Sequence, residues 1–110
     1  MTALPDHIQV GPMCYSLAVN QAAINAINPE LQGRTTHRNQ SIVLAEGIGP
    51  DQEADTVLHE LLHACLSVSG AANKVSDGLQ EELVAAITPL LLDVLRRNPQ
   101  LVAYLLSTEP

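Results

Sequence analysis

Phenylalanine and tryptophan are absent from this 110-residue chain and tyrosine occurs only twice, so a core has to be assembled from leucine, isoleucine, valine and alanine. Positive charge is also scarce. Five Lys and Arg stand against twelve Asp and Glu, for a formal net charge of −7, and the few basic residues are scattered. That balance excludes a nucleic-acid-binding surface, which needs clustered cations to neutralise phosphates. Cysteine occurs twice, as Cys14 and Cys65, too far apart in sequence for a ligand pair. Two such thiols are expected to be buried and reduced, with Cys65 packing beneath the nearby His63. No apolar run is long enough to span a bilayer, and residues 1–10 hold no basic segment followed by an apolar one. The expectation is a cytoplasmic protein without a membrane partner.

What the chain does contain is His59-Glu60-Leu61-Leu62-His63, an H-E-x-x-H motif inside a run that reads as one helix. Histidines four residues apart lie one above the other on the same helix face, so their imidazoles can converge on one metal ion. Glu60 is out of line with them. Its carboxylate is badly placed to be a third ligand but well placed to take a proton from water in the open position of a zinc site. Pro50 and Asp51 form a plausible helix start, Glu53 and Asp55 suit the positive end of the dipole, and Gly70 is a stop. Leu58, Leu61, Leu62 and Cys65 give the expected core stripe.

Catalytic zinc sites use three protein ligands, and two histidines with one glutamate is a known set. Glu81 and Glu82 fall in the first turns of the next expected helix, after a reversal near Gly70, and either can be brought back to the histidines. His7 and His37 read as strand and turn residues, and Asp93 lies three turns too far along. No motif identifies a group to stabilise an oxyanion; Tyr15, Tyr104 and His37 are the candidates.

Along the chain, residues 7–10 and 14–19 alternate as strands do, with a turn at Gly11-Pro12. Residues 20–29 suit a loop or one short helix. Residues 31–36 and 40–45 suit a hairpin turning at His37-Arg38-Asn39, with Ile42 and Leu44 facing the core. Asp77-Gly78-Leu79-Gln80 resembles a capping box that opens a helix carrying Leu79, Leu83, Ile87, Leu90, Leu91, Val94 and Leu95 as a broad apolar face. Pro89 is expected to kink that helix, and Asn98-Pro99 to end it and start a last one bearing Leu101, Val102, Leu105 and Leu106. The fold class is therefore α+β: a small antiparallel sheet of three to four strands, the motif helix, a second ligand-bearing helix and a short C-terminal helix. At this length, one domain over residues 1–110 is expected.

Residues 55–64 (DTVLHELLHA), 81–84 (EELV) and 91–99 (LLDVLRRNP) resemble small gluzincin-type metallopeptidase-like proteins encoded by phages and prophages. More distantly, they are similar to minimal gluzincins and to peptidase domains of the ImmA/IrrE type. The resemblance covers about two thirds of the chain and implies a zincin-like domain whose motif helix packs under the sheet beside an edge-strand cleft. It implies Zn2+ held by His59, His63 and one glutamate of the 81–82 pair, with Glu60 as general base. Glu81 is favoured, since Val84 and Ile87 follow it as a small and then a bulky residue follow the ligand glutamate in the ImmA/IrrE type. Glu82 is then solvated or orients a ligand histidine. The implied reaction is hydrolysis of a peptide or protein substrate, which would add as a strand to the edge at residues 40–45. The alternative is a non-enzymatic, zinc-stabilised binding or regulatory domain of phage or prophage origin, and Glu60 weighs against it because a structural site has no use for a base. Oligomeric state is left open at this level.

Overall fold

The structure is a computed structural model that describes residues 2–108. Its elements run β1 (His7–Val10), β2 (Met13–Val19), α1 (Gln21–Ile27), β3 (Gly33–Thr36), β4 (Ser41–Leu44), α2 (Pro50–Ser69), a 3-10 turn (Ala71–Lys74), α3 (Asp77–Arg97) and α4 (Pro99–Leu106). The class is α+β, with a four-stranded sheet followed by the expected succession of helices. Strand order is β1-β2-β4-β3. The β1/β2 and β3/β4 pairs are antiparallel, whereas β2 and β4 run parallel across the crossover that contains α1. The sheet is therefore mixed.

This order moves the edge. β4 lies between β2 and β3, so residues 40–45 cannot accept an added strand; the edge strands are β1 and β3, and β3 is the one that lies against α2. The reason lies in the crossover. α1 is capped by Asn20, whose side chain accepts from the Ala23 amide, and it carries the chain past β4's position before the hairpin turns back.

One face of the sheet presents Val10, Tyr15, Leu17, Ile42 and Leu44, all buried, to α2, which meets them with Val57, Leu61, Ala64 and Val68. The expected stripe of α2 is thus displaced: Leu58 and Leu62 are half-buried, and Cys65 is exposed instead of lying under the site. Cys14 is exposed too. What α2 buries in their place is a polar line, Thr56 and Glu60, against β3. β3 accepts it because Gly33, paired with Leu44, has no side chain there. A Cβ on Gly33 would stand 2.6 Å from Thr56 Cγ2 and 3.3 Å from Glu60 Cγ. The missing side chain lets the motif helix lie against the edge strand.

α2 begins with Gly49 as cap and Pro50 at its first turn, and stops at Gly70, whose φ of 82° is the left-handed conformation that glycine tolerates. α3 starts one residue earlier than the capping-box reading implies: Ser76 is the cap and accepts from the Leu79 amide. It continues through Pro89 as one helix. Its buried line is Gln80, Val84 and Thr88, with the Thr88 hydroxyl donating to the Val84 carbonyl. The expected apolar face is largely outside, since Leu79, Leu83, Ile87, Leu90 and Val94 are exposed. A helix has one rotation about its axis. Here that rotation turns Gln80 and Glu81 toward the histidines of α2 and leaves the leucines in solvent.

Candidate metal centre

His59 and His63 project from the middle of α2, where regular helix geometry stacks their rings with centroids 5.0 Å apart. Both are largely covered, with side chains 19% and 14% exposed. Glu81 reaches across from the second turn of α3. Its Oε1 is 2.9 Å from His59 Nε2 and its Oε2 is 2.8 Å from His63 Nε2. The ligand atoms of these three residues lie within 4.8 Å of one another, and they form the one such grouping among the described residues. Glu82 is exposed and outside it, and so are His7, His37 and Asp93, the last held by Arg97.

The second contact of His63 decides which nitrogen can face a metal. Its Nδ1 is 2.6 Å from Gln80 Oε1, and Gln80 is buried. Facing an amide oxygen, Nδ1 keeps its proton and donates, so Nε2 is the free ligand atom. This is the orienting role that the sequence reading left to the second glutamate, and the neutral Gln80 fills it instead. Two imidazole nitrogens and a carboxylate are a donor set of the kind that holds zinc. Bonds of about 2.0–2.1 Å at a tetrahedral angle require N···O separations of about 3.3 Å. Outward movement of the carboxylate by roughly half an ångström satisfies that, and the Glu81 side chain, 57% exposed, is free to move. Replacing Gln80 by alanine is expected to weaken zinc affinity about 10–100-fold while leaving one metal per chain at saturation. Competition with a chromophoric chelator checks this, and an unchanged affinity contradicts the role given to Gln80.

Glu60 is held apart from the ligands. Thr35 Oγ1, on β3, lies 2.8 Å from Glu60 Oε1 and 3.0 Å from the Glu60 carbonyl oxygen, so its one proton serves either acceptor. Oε2 remains, 4.0 Å from His59 Nε2. The carboxylate is thus pinned by one oxygen, with the other left toward His59. It is not arranged to bind metal alongside the two histidines.

These groups share a cleft of about 600 Å3 lined on one side by β3 and on the other by α2 and the start of α3. His37, in the β3–β4 turn, also lines it. Its Nδ1 is 3.2 Å from the hydroxyl of the buried Tyr15. Loss of hydration lowers the His37 pKa below the usual histidine value, helped by nearby His63 and Arg34 and opposed by Glu60. The neutral ring is therefore favoured. In the tautomer that accepts from Tyr15 at Nδ1, the ring carries its proton on Nε2 as a donor. Tyr104, exposed on α4, does not line the cleft.

Nothing in the sequence points to Gln80 as a histidine partner, and Tyr15 and His37 are separate oxyanion candidates there and not a pair. For Thr35 a signal exists: it shares a strand face with Gly33 opposite Ile42 and Leu44, so the core alternation of β4 turns it toward α2. Compared with known proteins, the chain matches no family model, no curated protein and no solved structure.

Proposed function

We propose that this chain is a zinc-dependent hydrolase of peptide bonds. The observation that carries the reading is the combination of a His59-His63-Glu81 donor set with a carboxylate, Glu60, that is buried, tethered through one oxygen and kept out of that set. A metal-binding domain needs only the first of these. Zinc bound to the three ligands would supply a Lewis acid that polarises a carbonyl and lowers the pKa of water.

The protein's own groups account for the rest. Glu60 Oε2 takes the proton of the attacking water and returns it to the leaving amine, with Thr35 keeping the carboxylate aimed between the two transfers. His37, neutral and held by Tyr15, supplies a hydrogen-bond donor on the opposite wall for charge that develops on the carbonyl oxygen. The free edge of β3 offers backbone groups to an extended chain, so an unstructured peptide is the substrate class that fits. No helix among the described residues is long and apolar enough to cross a membrane, and two exposed free thiols suit a reducing compartment, which is the ground for proposing the cytoplasm.

Incubation of zinc-loaded protein with an unstructured peptide library, read by mass spectrometry, tests the reading. Cleavage abolished by chelation and restored by zinc is expected. Intact peptides throughout, with stoichiometric zinc bound, would overturn it in favour of a non-catalytic binding domain.

A further inference from the structure

Five large apolar side chains of α3, Leu79, Leu83, Ile87, Leu90 and Val94, stand in solvent, Leu90 with 69% of its surface exposed. α4 prolongs this surface with Leu101, Tyr104, Leu105 and Leu106, the tyrosine being 77% exposed. Nine large apolar side chains exposed along two consecutive helices are more than the scattered single ones that an ordinary monomer surface carries.

We propose that this face is a homodimer interface, in which α3 of one copy packs antiparallel against α3 of a second about a two-fold axis near Ile87. Three observations select a second copy as the occupant. The apolar residues follow at intervals of four, four, three and four, one step away from the three-and-four alternation of a coiled-coil seam. That spacing reads almost the same in both directions. Antiparallel pairing about a point between residues 86 and 87 sets Leu79 opposite Val94 and Leu83 opposite Leu90 and brings Ile87 within one residue of its own copy, the self-complementarity that a two-fold interface requires. Antiparallel packing also opposes the two helix dipoles, setting the acidic first turn of one α3, with Asp77, toward the last turn of the other.

The rotation of α3 explains why such a face exists. Gln80 and Glu81 must point to α2, and Leu90 lies about half a turn round the helix from Glu81 at 100° per residue. The dimer face thus lies beside the contact with α2, about 100° round from the buried line of Gln80, Val84 and Thr88, and turned away from Glu81. The proposal is independent of the reaction, because a metal-binding domain with this α3 would dimerise equally.

Light scattering coupled to size exclusion, on the full zinc-loaded chain, is the test. A mass of about twice 11.7 kDa is expected. Leu83→Glu with Leu90→Glu should halve it without altering the far-ultraviolet spectrum or zinc content, since both side chains are exposed in the single chain. Should that variant fail to fold, Ile87→Cys in a Cys14→Ser, Cys65→Ser background keeps the question decidable. Residue 87 comes within one residue of its own copy near the axis, so mild oxidation should give a disulfide-linked dimer that Gln9→Cys in the same background does not give. A wild-type monomer at the highest soluble concentration, a dimer that survives both glutamates, or no selective cross-link at residue 87 would each overturn the proposal.

Discussion

Glu60→Gln is expected to keep its zinc and lose hydrolysis by about 10^2–10^4-fold, the usual contribution of a positioned acid or base. The amide has the size of the carboxylate, so the close contact of α2 with β3 at Gly33 is preserved. Thr35 can still donate to the amide oxygen, as it does to Oε1. Only proton acceptance is removed. The split between metal content and turnover is therefore the diagnostic quantity. A variant with wild-type turnover would show that another group takes the proton. A variant that lost its metal would show Glu60 to be a ligand, contrary to its Oε1 being tied to Thr35.

The second large effect concerns Glu81. Its carboxylate contacts both imidazoles at 2.8 and 2.9 Å, whereas Glu82 points into solvent one residue on. Glu81→Ala should lower zinc affinity by more than the roughly 10–100-fold expected for an orienting residue such as Gln80. Glu82→Ala should leave it unchanged. Chelator competition on the two variants separates them, and a larger loss at Glu82 would require α3 to rotate by about 100°, which would draw Gln80 away from His63.

The residues that sequence made legible are those whose spacing alone fixes their geometry. His59 and His63 are four apart on a helix with clear start and stop signals, and β4's alternation put Ile42 and Leu44 inside, where both are fully buried. Less legible were features that depend on how elements meet. Which strand is the edge follows from the parallel β2/β4 pairing, and no local pattern in residues 31–45 encodes that. The core stripe of α2 was misjudged because Thr56 and Glu60 are polar yet buried, a choice made affordable only by Gly33 and Thr35 on another element. For α3 the apolar periodicity was real, but it marks the outer face of this chain. Hydrophobic pattern tells that a helix face seeks cover, without saying whether its own fold provides it.

On the proposed reading, His59, His63 and Glu81 hold one zinc ion between them. Elemental analysis of protein purified without added metal tests it most directly, with the His59→Ala, His63→Ala double variant prepared alongside. One zinc per chain in the wild type and none in the double variant is the predicted result. Stoichiometric zinc in the double variant, or a wild type that binds no zinc even after incubation with the ion, would contradict it.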